Sequence, residues 1–182
     1  DLLESLEKLS FEKPLVVMTY ANVLYSQKLS KAVEALNKAN IKGLIVPDLT
    51  FEESHVLDNE IASSDIAHIQ LVSSTTSARR LELIVKQSEG FVYTVALKGL
   101  TGQEVKFDDE TISFFNKIRS ESLQPSYCGI GIKNAEQAKH ISAYCDGVIV
   151  GSSIVELLMN EPNNIDAIGK FVKSLRISID ES

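Results

Sequence analysis

The sequence predicts an α/β fold, a parallel sheet whose strands are each followed by a helix. Three observations predict it: short and nearly continuous apolar runs, intervening stretches with apolar residues on one helical stripe, and glycine pairs where the last runs end.

The apolar runs are Leu15 to Thr19, Leu44 to Val46, Ile69 to Val72, Phe91 to Leu97, Tyr127 to Ile132 and Val148 to Val150. A strand with one wet face alternates apolar with polar residues, so unbroken runs predict strands buried on both faces, as in a parallel sheet covered by helices. The helical stripes lie between them. Leu29, Val33, Leu36 and Ala39 form the first; Ala78, Leu81 and Val85 the second; Ile112, Phe115 and Ile118 the third; and Ala135, Ala138, Ile141 and Cys145 the fourth. Ser26, Asp108 and Asn134 stand just before three of these stripes as candidate N-caps, and Gln137 follows Asn134 at the N3 position.

Strand starts near residues 15, 44, 69, 91, 127 and 148 give six βα units at intervals of 21 to 36 residues. Count alone favours an open doubly wound sheet, because a (β/α)8 barrel typically takes ~250 residues and this chain has 182. Glycine placement points the other way. An open sheet commonly cradles phosphate after its first strand, but the first unit, Met18-Thr19-Tyr20-Ala21-Asn22, has no glycine. The glycines follow the last strands instead: Cys128-Gly129-Ile130-Gly131-Ile132 before the helix capped at Asn134, and Gly147 to Gly151 turning at once into Ser152-Ser153-Ile154-Val155. Barrels frequently build a phosphate site from the loops after strands seven and eight and a short extra helix. The amides of Gly151, Ser152 and Ser153 would form that anion site, with Ile154, Leu157 and Leu158 as a core stripe behind them. A third glycine pair, Gly99-Leu100-Thr101-Gly102, follows the fourth run. The expected fold is thus a (β/α)8 TIM barrel with six of its eight units, residues 1–182 forming a single domain, and a flavodoxin-like open sheet is the competing arrangement.

Composition excludes several functions. Eighteen Lys and Arg against 25 Asp and Glu give a net charge of −7 with no basic stripe, so a nucleic-acid or anionic-membrane partner is not expected. No apolar run approaches the ~18 residues of a membrane span. The acidic amphipathic start, Asp1 to Glu7, is unlike a secretory signal, which gives a cytoplasmic reading. Two cysteines, Cys128 and Cys145, make no disulfide framework, and His55, His68 and His140 show no metal spacing, so no metal is expected.

Six segments taken in order carry a resemblance: Met18 to Asn22, Gly43 to Leu49, Glu89 to Tyr93, Gly99 to Gly102, Gly129 to Ile132 and Asp146 to Ser153. The series is similar to the tryptophan synthase alpha chain family along essentially the whole sequence. The resemblance implies that the chain supplies strands three to eight of the barrel, Asp1 to Leu9 ending the second helical region. It implies a lyase that cleaves indole-3-glycerol phosphate to indole and glyceraldehyde 3-phosphate in tryptophan biosynthesis. It also implies an alpha2beta2 partnership with a beta subunit that holds pyridoxal phosphate, this chain having no cofactor of its own.

Carried over by motif, Thr101, Gly102, Gly129, Gly131, Gly151 and Ser152 would bind the glycerol phosphate end, and Tyr93 would line the site beside the indole. Tyr20, Asn22 and Asp48 would face the beta subunit and the substrate entrance. The family's catalytic Glu and Asp precede the matched positions, so no catalytic residue is assigned here and the chain alone is expected to be inactive. Relatives often carry Pro at the position of Thr50 and Phe at that of Ile130. A noncatalytic phosphate-binding or partner-regulating protein is the rival function.

Overall fold

The computed structural model describes residues 2–9, 11–95, 109–129, 131–162 and 164–181. Among them are seven strands and nine helices, and the chain divides into two compact units.

The first unit, residues 1–71 with 87–91, opens with α1 (Leu2–Glu7) and β1 (Leu15–Met18), then α2 (Ala21–Tyr25) and α3 (Leu29–Lys38). There follow β2 (Ile41–Ile45), α4 (His55–Ile61) and β3 (Ala67–His68). The three strands form a parallel sheet in the order β1-β2-β3. Val33 and Leu36 of α3 pack with Leu24, Ile41, Leu44, Leu57 and Ile61 into one buried cluster, each such side chain contributing roughly 1.5 to 3 kcal/mol by leaving water. Asn40, at φ 53°, ends α3 in the left-handed conformation that Asn tolerates better than most residues.

The second unit, residues 72–86 with 92–182, holds most of the sheet β4 (Leu71–Ser73), β5 (Val92–Val95), β6 (Ser126–Cys128) and β7 (Gly147–Val148), hydrogen-bonded in that order. The pairs β5–β6 and β6–β7 are parallel. Its helices are α5 (Ala78–Gln87, ending at the unit boundary), α6 (Asp109–Glu121), α7 (Ala135–Ser142), α8 (Ser152–Asn160) and α9 (Ile165–Asp180). Phe115 of α6, Cys128 of β6, Ala138 and Ile141 of α7, Cys145 and Leu175 of α9 close a second core.

Several expectations are corrected. The third apolar run is not one strand: it begins earlier and breaks at Ile69 and Gln70, so β3 joins one sheet and β4 the other. Burial on both faces is also wrong for these residues. β1 and β5 alternate instead, Val92 and Thr94 being buried while Tyr93 is half-buried and Val16 and Met18 are exposed. Apolar character on a face shows that it suits cover; it does not supply the covering atoms.

Ser26 does not start α3. It closes α2, its Oγ donating to Val23 O at 2.8 Å, and Lys28 holds the N-cap position without a side-chain bond. The stripe of Ile154, Leu157 and Leu158 is not core either, because no residue of α8 is buried and Leu158 is exposed. The candidate cap Asp108 lies outside the described residues.

Asn134 behaves as expected, its side chain accepting the amide of Gln137 at 2.9 Å, while Gln137 Oε1 accepts the amide of Lys133 at 2.8 Å. No stripe was assigned to α4 or α9, yet α9 is the longest helix described and packs along α7. No helix of the described residues is long and apolar enough to cross a membrane.

Candidate active site

The second unit assembles its glycines through the sheet register. Tyr93 of β5 pairs with Tyr127 of β6, and Tyr127 pairs with Gly147 of β7. Residues at one register in a parallel sheet share a face, so the two tyrosine rings line the same half-buried surface. Each ring rests on a glycine. A Cβ at Gly129 would lie 2.8 Å from Tyr93 Cζ and nearer still to its Cε2 and hydroxyl oxygen, and one at Gly147 would lie 2.9 Å from Tyr127 Cδ1. These glycines therefore serve close approach rather than an unusual backbone angle.

Gly131 serves the other purpose. Its φ of +63° is a turn conformation that L side chains adopt only with strain, and the space where a Cβ would stand is empty. The chain then passes Ile132, which is buried, and enters α7 at Asn134.

At the end of β7, Gly151 occupies the N-cap position of α8, and its carbonyl accepts the amides of Ile154 and Val155, both at 3.0 Å. The amides of Ser152 and Ser153 belong to the first turn, where helix N–H groups lack intrahelical partners and carry partial positive charge. A side chain at Gly151 would also meet open space. Ser153 Oγ donates to Ile132 O at 2.7 Å and clasps the α8 N-terminus to the Gly131 turn. The structure thus brings Gly129, Gly131, Gly151 and Ser152 to one end of β6 and β7.

Burial raises the phenol of Tyr93 above its ordinary pKa, with the neighbouring Cys128 adding to the effect. The ring therefore offers a neutral O–H donor at physiological pH. Cys128 is itself pushed up by its hydrogen bond with Cys145 and by burial, so it stays a protonated, packed thiol rather than a nucleophile. Cys145 Sγ donates to Gly147 O at 3.1 Å. Among the described residues no group of His, Cys, Asp and Glu is arranged to hold a metal ion.

Thr101 and Gly102 lie outside the described residues. Tyr20, Asn22 and Asp48 come together in the first unit instead, because Asp48 Oδ1 accepts the amide of Ala21, the first residue of α2, at 2.8 Å. Tyr20 and Asn22 flank that amide and both are exposed.

The sequence profile of the tryptophan synthase alpha chain family matches residues 1–178. The chain belongs to the tryptophan synthase alpha chain family. The tryptophan synthase alpha chain of Listeria monocytogenes serotype 4a is 38% identical over 160 residues, covering 88% of this chain and 62% of the relative. That of Oceanobacillus iheyensis is 36% identical over 174 residues, covering 94% of this chain and 66% of the relative. This chain thus spans a little under two thirds of the length of these two alpha chains.

The solved tryptophan synthase subunit alpha of Campylobacter jejuni superposes with a TM-score of 0.85 at 37% identity, covering 96% of this chain and 69% of that one. A Mycobacterium tuberculosis tryptophan synthase structure gives 0.86 at 28% identity, covering 97% and 67%. The fold class is therefore that of the alpha-chain (β/α)8 barrels, and the open sheet is set aside. Glycine position, not unit count, was the informative signal.

Sequence reasoning overlooked two residues of this site. Tyr127 shares the alternation phase of Tyr93 across the sheet, which becomes visible only once the register is known. Ser153 looked like another amide donor, whereas its hydroxyl makes the clasp.

Proposed function

We propose that this chain carries the substrate grip of an indole-3-glycerol phosphate lyase, the alpha subunit of a tryptophan synthase. The observation that carries the reading is the bond from Ser153 Oγ to Ile132 O, which ties the first turn of α8 to the Gly131 turn, with open space beside both Gly131 and Gly151. Amide hydrogen bonds to a charged phosphate contribute roughly 1.5 to 3 kcal/mol each.

In this reading Gly129, Gly131, Gly151 and Ser152 hold the phosphate, with Thr101 and Gly102 contributing from their loop. Tyr93 and its neighbour Tyr127 supply an aromatic wall for the indole ring, the Tyr93 hydroxyl giving one polar contact. Cleavage breaks the bond between the indole ring carbon and the glycerol chain. A general acid protonates the ring carbon and a general base takes the proton of the adjacent hydroxyl as the aldehyde forms. Those two carboxyl groups are the family's Glu and Asp, for which residues 1–182 have no counterpart. This chain's own residues therefore bind, orient and exclude water. Tyr20, Asn22 and Asp48 would meet a beta subunit, the bearer of pyridoxal phosphate.

The test is complementation. Adding a polypeptide that carries the family's first two βα units should yield indole from indole-3-glycerol phosphate, whereas the chain alone should release none. A mixture that binds glycerol phosphate yet cleaves nothing would favour the noncatalytic phosphate-binding reading. Turnover by the chain alone would overturn the assignment of roles.

A further inference from the structure

A polar cavity lies wholly within the first unit, about 430 Å3 in volume, where α4 meets the start of β3. Asp58, Ser64, His68, Gln70, Gln87 and Glu89 line it together with the apolar Ile61, Ala62 and Ile66, and neither Lys nor Arg does.

His68 is the unusual member, its side chain only 7% exposed. Nδ1 sits 2.5 Å from Asp58 Oδ1, and the other carboxylate oxygen of Asp58 accepts from Ser54 Oγ at 2.7 Å. A contact that short to a carboxylate places the ring proton on Nδ1. Gln70 Nε2 lies 3.1 Å from the same nitrogen; with the proton on Nδ1 the amide is assigned the other way round, its oxygen accepting from the ring. In the neutral ring Nε2 is then the lone-pair acceptor, and it has no hydrogen-bond partner among the described residues.

Glu89 adds a second unspent acceptor. One of its oxygens accepts the His68 amide at 3.2 Å, and no cation pairs with the carboxylate among the described residues. An unpaired carboxylate at the rim and a buried imidazole lone pair beneath it create negative potential in a recess with partly apolar walls. Anions and phosphates are disfavoured there.

We propose that this cavity binds a small organic cation, a primary ammonium on a short apolar stem, whose N–H groups donate to His68 Nε2 and Glu89 while the stem lies against Ile61 and Ile66. The volume is at the lower end of the range for small-molecule pockets, which fits a stem of a few carbons.

Propylammonium chloride is the probe, 1-propanol its uncharged counterpart, and the full chain the sample. Titration followed by the ring-nitrogen resonances of His68 and the side-chain amides of Gln70 and Gln87 should saturate with propylammonium and stay flat with 1-propanol. Glu89→Gln should weaken the response roughly tenfold, the loss expected for one charged hydrogen bond. Ala62→Phe, which fills the cavity without altering its hydrogen bonds, should abolish it and serves where Glu89→Gln fails to fold. No saturation, an equal response to 1-propanol, an undiminished response in folded Ala62→Phe, or a response to Zn2+ alone would overturn the proposal.

Discussion

The ring of Tyr93 lies over the Cα of Gly129, 36 positions away in sequence and the first residue after β6, the parallel neighbour of β5. The ring occupies the volume that any other residue's Cβ would need. Gly129→Ala should therefore cost about 1 to 3 kcal/mol, the usual penalty for overpacking, read as a shift in urea midpoint with unchanged slope. Tyr93→Ala introduced into that variant should cost less than it does alone, since removing the ring vacates the space. Strictly additive losses would show that the two positions do not touch.

Gly151 allows binding to be separated from stability. Its φ is −117° and a Cβ there meets nothing, so Gly151→Val should cost only the preference of an N-cap for glycine over a branched residue, about 1 kcal/mol in unfolding free energy. Affinity for glycerol 3-phosphate should nevertheless fall roughly tenfold or more as the branched side chain covers the α8 amides. Calorimetric titration of both proteins measures the difference. Unchanged affinity would remove Gly151 from the phosphate grip.

The raised pKa of Tyr93 gives a signed expectation in alkali. Below the ordinary phenol value both folded and unfolded chains keep the proton, and the contribution to stability is fully present. As pH rises past that value the unfolded chain ionises first and binds fewer protons, so stability falls until the folded pKa is passed. Tyr93→Phe should flatten this decline, and it should delete the latest step in the tyrosinate absorbance titration. An unaltered late step would assign it to another of the five tyrosines.

Helix α7 depends on Asn134 at its start. Asn134→Ala removes the acceptor of the Gln137 amide and should cost about 0.5 to 2 kcal/mol in thermal or urea unfolding. Asn134→Asp should retain most of the stability, because a carboxylate accepts the same amide and suits the helix dipole.

Most strands and the helices α3, α5, α6 and α7 were legible because packing leaves local traces, such as the run Leu44 to Val46 with every residue buried and the spacing of Ala135, Ala138 and Ile141. The Asn134 cap was legible because its partner is three residues away. Ser26 misled because a hydroxyl caps a helix only when the preceding backbone is free, and here α2 already claims it. The break at Ile69 and Gln70 was hidden, since a single buried Gln within a short apolar run carries no mark of which sheet its neighbours will join.

At the site, the glycines announced themselves as gaps in side-chain coverage. Tyr127 and the Ser153 hydroxyl did not, because their roles depend on neighbours brought close by register and by the α8 turn. The His68–Asp58 pair was equally silent, its partners being ten residues apart across the end of α4.

The Ser153 clasp also bears on kinetics. Two loops fastened to each other before any ligand arrives have little freedom left to surrender on encounter. Capture at this end of the sheet should then run at the pace of diffusion rather than wait on a slow rearrangement, and cutting the tether with Ser153→Ala should show itself chiefly as a shorter residence time.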